Sequence, residues 1–171
     1  MWMEITGTRR VVSTLEDYRG AVTEIATHAR RTLCIYTPDF EPSLYDHDCF
    51  LEPVKRFVLT RRHARVRVLV CHPPRTGHRF VQMARRLSSC IHLRKVLGDH
   101  RDDACAYIVA DDTAIAYRAQ ASRWAGVVEV DDRGIARRHV DHFENVWSAS
   151  LAQPELQADA GEQLDFFRYG L

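Results

Sequence analysis

Two short apolar runs, each following a stripe of helical period, limit the choice of fold more than any other feature of this chain. The first, Thr32-Leu33-Cys34-Ile35-Tyr36-Thr37, is halted by Pro38. The second, Ala64-Arg65-Val66-Arg67-Val68-Leu69-Val70-Cys71, begins by strict alternation, ends fully apolar and stops at His72-Pro73-Pro74-Arg75-Thr76-Gly77. Short apolar runs bounded by Pro and Gly read as buried strands. Ahead of the first run, Leu15, Tyr18, Val22, Ile25 and Ala29 share one helical face, and Ser13 with Glu16 makes a capping box. A helix is therefore predicted over 14–31. Between the runs, Phe50, Leu51, Val54, Phe57 and Val58 mark a second helix, with Asp48 as its N-cap after a polar loop.

Phe80, Val81, Ala84 and Leu87 give a third helix, after which the rhythm changes to strands. Ile91 to Val96 alternates, Ala104 to Ala110 and Thr113 to Tyr117 flank Asp111-Asp112 as a hairpin, and Gly126 to Val130 is a further strand. Ile135, Phe143, Val146, Trp147 and Leu151 form the last helical stripe, and 154–171 is an acidic tail ending in Phe166-Phe167-Arg168-Tyr169. This order predicts one α/β domain over 1–153, a mixed β-sheet flanked by helices on both faces.

Charge is segregated along the chain. Between Glu52 and Arg101 there are 13 Lys or Arg against Glu52 and Asp99 alone, while the net charge of the whole is only +1. Such a separation fits a basic face for a polyanion or a self-complementary surface for a second copy. The cluster Thr60-Arg61-Arg62-His63-Ala64-Arg65 also has a local reason, since cations at a helix end meet the negative end of its dipole.

Several classes are excluded or set aside. No apolar run approaches the roughly 18–20 residues of a membrane span, and the Met1-Trp2-Met3-Glu4 start has no leader pattern, so a cytoplasmic protein without membrane contact is expected. The 5 cysteines lack CxxC spacing and read as buried, reduced thiols. Asp46-His47-Asp48-Cys49, His72 with His78, and His139 with His142 match no metal spacing, so no metal and no cofactor are expected, and the last pair reads as part of a solvated helix face.

Several strings together resemble one phospholipase D-like domain, the unit shared by phospholipases D and related nucleases, over residues 13–150. Ile35-Tyr36-Thr37-Pro38-Asp39-Phe40 is similar to that family's "I-x-T-P-Y-F", and Ala64 to Val70 to its "G-V-x-V-R-V-L". Tyr107-Ile108-Val109-Ala110-Asp111-Asp112 is similar to "Y-L-I-V-D-D", and Phe143-Glu144-Asn145-Val146-Trp147 to the closing "F-x-x-x-W". The resemblance implies catalysis through H-x-K-x4-D, where His attacks phosphorus, Lys holds phosphate oxygens and Asp supports the site. With Asp111 in the Asp position, the His and Lys positions hold Ala104 and Ala106, and the Gly-Ser-x-Asn that follows becomes Tyr117-Arg118-Ala119-Gln120.

A chain without the nucleophile has lost the covalent route. The resemblance thus implies a degenerate, bacterial relative of unknown function: no catalytic residues, and a binding or assembly module for nucleic acid, another polyanion or a protein partner. Asp111 reads as a turn or sheet-end residue. A phosphate or polyanion site is expected from His72, Arg75, His78, Arg94, Lys95, Arg118 and Gln120, at the carboxyl ends of the strands. Because the usual enzyme has two such domains, a homodimer is implied, and similar domains accompany acetyltransferase modules. The alternative is a phosphodiesterase or nuclease with a site rebuilt from His72, His78 or His100.

Overall fold

A computed structural model describes residues 9–152. Strands Arg9–Val12 (β1), Thr32–Thr37 (β2), Arg65–Val70 (β3), Ile91–Lys95 (β4), Ala106–Ala110 (β5), Ala114–Arg118 (β6), Gly126–Glu129 (β7) and Leu151–Ala152 (β8) form one sheet in the order β1-β7-β6-β5-β2-β3-β4-β8. The helices are Leu15–His28 (α1), Pro42–Tyr45 (α2), Asp48–Thr60 (α3), Arg79–Arg86 (α4) and Arg133–Ala149 (α5), with a 3-10 turn at Gly98–Asp102. β2, β3 and β4 run parallel, and the remaining pairings are antiparallel.

β2 lies in the middle, paired with β3 and β5, and everything from Leu33 to Thr37 is buried, which is why its sequence is apolar on both sides. Alternate residues face two separate cores. Leu33, Ile35, Val66, Val68 and Ile108 join the buried stripes of α1, α3 and α4. Cys34, Tyr36, Leu69, Tyr107 and Val109 meet Ala136, Val140, Phe143 and Val146 of α5 on the other face. The expected mixed sheet with helices on both faces is the fold of this chain.

Local chemistry moves several boundaries. Thr14, one residue after the expected Ser13, caps α1 by accepting from the Asp17 N–H at 3.1 Å. α1 stops at His28 rather than Arg31 because the amides of Arg30 and Arg31 turn away to the Asp111 carboxylate, at 2.8 and 2.7 Å. Asp48 is not the cap of α3. It is the first helical residue and accepts from Arg79 at 2.8 Å, leaving the capping position to His47 without a side-chain bond. The stretch expected as loop before it contains α2, begun by Pro42, whose fixed φ suits a first helical position. α5 ends at Ala149, and Leu151, expected on that helix, pairs with Lys95 as β8 covers the edge of β4. Cys34 and Cys71 are buried, but Cys49 is exposed. The acidic tail 154–171 lies outside the described residues. Among the described residues, no helix is long and apolar enough to cross a membrane.

Candidate functional site

The parallel strands deliver their carboxyl ends to one edge of the sheet, where β5 begins and β6 ends. Open α/β sheets bind ligands at such an edge, and the two alanines of the altered motif stand there. Ala104 is exposed and Ala106 is buried. Directly across the ladder from Ala106 is Arg118, and opposed residues of an antiparallel pair share a face. The long cation that the resemblance expects on position 106 thus has a counterpart one strand over.

That cation is engaged through both terminal nitrogens, while its buried Nε has no hydrogen-bond partner among the described residues. Arg118 Nη2 donates to both Glu41 oxygens at 2.6 Å, and Nη1 donates to the carbonyls of Ala121 at 2.6 Å and Arg123 at 3.3 Å. Its guanidinium lies 4.8 Å from the Tyr18 ring centre and 4.6 Å from that of Trp124. Arg118 is completely buried. Burial is the largest single influence and opposes its charge, but Glu41 together with Tyr18 and Tyr45 holds the guanidinium protonated more firmly than usual. Burial likewise pushes the Glu41 carboxyl up against the downward pull of Arg118. Gly126 makes room for this arrangement, since a Cβ there would stand 2.7 Å from the Tyr117 carbonyl oxygen and 3.0 Å from Arg118 Cγ. Phe40, just before Glu41, adopts a left-handed φ of 58°, a costly conformation for a bulky residue. It is held by burial, by a ring stack 4.6 Å from His78, and by the His78 Nε2–H, which donates to its carbonyl at 2.8 Å.

A cavity of about 500 Å³ opens beside the pair, lined by Asp39, Glu41, Asp103, Ala104, Ser122 and Trp124 among others. Among the described residues, no lysine or arginine lines it, and with Glu41 neutralised by Arg118 the carboxylates of Asp39 and Asp103 set its field.

The seven residues expected around a phosphate have separate duties. His72, Arg75 and Gln120 are exposed at this end. His78 is buried and caps α4, its Nδ1 accepting from the Phe80 N–H at 3.2 Å, and burial lowers its pKa. Arg94 faces α5, where its guanidinium covers the Trp147 ring at 4.3 Å and donates to the Trp147 carbonyl at 2.9 Å. Lys95, the next residue of β4, points to the opposite side and is buried, with its pKa lowered by burial and then by Arg101. Arg118 is the locked cation. Adjacency in sequence conceals the split between Arg94 and Lys95, because strand side chains alternate.

The opposite end of the sheet has the reverse character. A groove of about 470 Å³ at the amino ends of β2 and β3 is lined by His28, Arg30, Arg31, Arg61, Asp111 and Arg133 among others. The four arginines are exposed, and none of their guanidinium groups has a hydrogen bond or ion pair among the described residues. Asp111 does not neutralise them by contact. Its carboxylate accepts from the backbone N–H of Arg30, Arg31 and Thr32 at 2.8, 2.7 and 3.0 Å. Asp111 and Asp112 both have positive φ, 55° and 58°, as the tight hairpin between β5 and β6 requires. The six residues of β2 separate this groove from the acidic cavity by about 20 Å.

On the α5 face, His139 and His142 are not solvated as expected but rest on the sheet. The Tyr107 hydroxyl lies 2.7 Å from His142 Nδ1 and donates to the His139 carbonyl at 3.2 Å. His142 also joins His100 and Asp103 in a cluster whose nitrogen and oxygen atoms lie within 4.8 Å of one another. It is the one group of potential metal ligands among the described residues. No sequence spacing announces it, because its members come from the 3-10 turn, the following loop and α5.

The family model described as "Domain of unknown function (DUF7931)" matches residues 14–158. No curated protein matches the chain. Among solved structures, the archaeal chromatin protein TrmBL2, described as showing a novel mode of DNA binding, is similar with a TM-score of 0.59 at 11% identity. The similarity covers 84% of this chain and 53% of that one, so the chain spans about half its length. Nuc from Salmonella typhimurium, a phospholipase D family member, has a TM-score of 0.61 at 15% identity, over 84% of this chain and 96% of that one. NucT from Helicobacter pylori has a TM-score of 0.60 at 12% identity, over 84% and 98% respectively. The fold is therefore phospholipase D-like, as the motif strings imply.

Proposed function

The chain belongs to the DUF7931 family, and we propose that it is a non-catalytic phospholipase D-like module that binds nucleic acid through the basic groove at the amino ends of β2 and β3. The observation that carries this reading is the set of four unpaired arginines, Arg30, Arg31, Arg61 and Arg133, around that groove. A guanidinium without a protein partner is free to take phosphate in a bidentate fork. The cavity at the other end supports the non-catalytic half of the proposal. It offers Ala104 and Ala106 in place of nucleophile and lysine, and carboxylates repel a phosphodiester. Two of the neighbours with this fold are a DNA-binding chromatin protein and a phospholipase D family member, so nucleic acid is a ligand class compatible with it.

Fluorescence anisotropy with a labelled DNA duplex tests the reading. Four phosphate contacts give a log–log salt slope near −3.6, so affinity falls by about 10²-fold between 50 and 200 mM salt. Arg61→Ala and Arg133→Ala each make the slope about one unit shallower, while Arg118→Met leaves it unchanged. Absence of binding at 50 mM salt, or a slope indifferent to Arg61 and Arg133, refutes the proposal. Hydrolysis of a phosphodiester reporter that is lost on His72→Ala, His78→Ala or His100→Ala favours the rebuilt enzyme instead. Pairing of two copies belongs to the same proposal, and a strict monomer by light scattering at high concentration removes it.

A further inference from the structure

The group formed by His100, Asp103 and His142 has a geometry that packing alone does not account for. Asp103 Oδ2 lies 3.6 Å from His100 Nδ1 and 3.5 Å from His142 Nε2. These separations exceed a good hydrogen bond, which spans about 2.7–3.2 Å. They match donors sharing one ion, because bonds of about 2.1 Å at a tetrahedral angle hold donor atoms about 3.4 Å apart. The three side chains are 41%, 29% and 36% exposed, open enough to admit an ion from solvent.

Two of the three donors are held from behind. The Tyr36 hydroxyl donates to Asp103 Oδ2 at 2.6 Å. The Tyr107 hydroxyl donates to the His139 carbonyl at 3.2 Å and meets His142 Nδ1 at 2.7 Å. In the His142 tautomer that carries its proton on Nδ1, the tyrosine oxygen accepts from Nδ1–H and Nε2 is left with a lone pair for an ion beside Asp103. A hydrogen bond behind a ligating histidine is what fixes its tautomer and ring orientation in metal sites.

We propose that His100, Asp103 and His142 form a binding site for a divalent transition-metal cation. Two imidazoles and one carboxylate are a borderline donor set suited to zinc, and three protein ligands leave a coordination position open. Asp103 also lines the acidic cavity, so the ion stands at its border and offsets part of its charge. The site is independent of the basic groove, which lies at the other end of β2.

The test uses the full chain without a histidine tag, stripped with chelator and titrated with Co²⁺. The expected result is one equivalent bound, with visible d–d bands and competitive displacement by Zn²⁺. Asp103→Asn keeps the shape and the Tyr36 contact, and weakens binding at least tenfold. His63→Ala, a change at an exposed histidine elsewhere, leaves it unaltered. A thermal melt of Asp103→Asn without metal checks that the variant is folded. No saturable Co²⁺ signal, or equal affinity in the wild type and Asp103→Asn, overturns the proposal. So does a thiolate charge-transfer band lost on Cys71→Ser or Cys105→Ser while Asp103→Asn binds normally.

Discussion

Replacing Glu41 with Gln isolates the charge of the buried Arg118 pair while keeping its shape. Arg118 is 0% exposed and, among the described residues, has no second carboxylate partner and no hydrogen bond to its Nε. Breaking a buried ion pair by removing one partner costs about 3–5 kcal/mol, because the other charge stays desolvated. Glutamine still accepts through its amide oxygen, and Tyr18 and Trp124 still face the cation, so the cost falls near the lower limit, about 3 kcal/mol. In a domain of this size each kcal/mol moves Tm by about 2–4 °C, which gives a drop of about 6–12 °C. The double change Glu41→Leu with Arg118→Met removes both charges and returns most of that loss, since apolar replacements of buried pairs are often neutral. Thermal unfolding followed by circular dichroism at pH 7 in phosphate-free buffer reads these values. A Glu41→Gln melt within about 2 °C of the wild type shows that the pair is not a structural lock. A Tm raised by inorganic phosphate in the wild type and not in Arg118→Met assigns the cation to a ligand instead.

Substitutions at Asp111 should follow an order set by backbone and carboxylate together. Asp111→Asn, which tolerates the left-handed φ and keeps one acceptor, is the mildest; Asp111→Ala, which strains the turn and leaves three amides without their acceptor, is the worst, at roughly 3 kcal/mol or more by urea denaturation. His78 predicts a pH effect of definite sign. Burial lowers its pKa below the ordinary 6.5, against the pull of the Phe40 carbonyl, Asp46 and Asp39, so the folded state holds this proton less well than the unfolded. Its contribution is complete above pH 6.5 and is lost as pH falls, at a slope of at most about 1.4 kcal/mol per pH unit; a His78→Gln chain whose stability varies with pH as the wild type's does contradicts this. Trp147→Ala removes the surface on which Arg67 and Arg94 lie, at 5.2 and 4.3 Å, and costs about 2–4 kcal/mol by the same denaturation.

The strands of the central sheet were legible because β2 and β3 are buried on both faces and leave an apolar record that a turn residue must end. Asp111 was legible as a sheet-end residue for the same local reason. The Arg118–Glu41 pair was not, since its members are 77 positions apart and no periodicity connects them. A signal was nonetheless present. An arginine ending the apolar stretch Ala114-Ile115-Ala116-Tyr117 demands a buried counterion, although nothing local says which. The basic segment is visible in the sequence as a surplus of charge, and the strands divide it between the two ends of the sheet. Arg61 and Arg62 precede β3 and Arg75 follows it, so residues close in sequence emerge at opposite ends of the sheet. Both caps moved by one residue: Thr14 stands in for its chemically similar neighbour Ser13, whereas His47 takes the place expected for Asp48 without a side-chain bond.

For the proposed anion-binding role of the groove, the latch formed by Asp111 sets how much of the backbone remains to be ordered on binding. Arg30 and Arg31 belong to a connection between helix and strand, the kind of segment that ordinarily must be immobilised when a ligand arrives. Here one carboxylate from a hairpin about 80 residues away has already fixed three successive amides. The entropy of ordering that backbone is spent during folding rather than during association, where each immobilised side chain still costs about 0.5–1.5 kcal/mol. A phosphate arriving at the groove therefore needs to order only the arginine side chains, and loosening the hairpin should weaken binding through entropy even when every guanidinium remains in place.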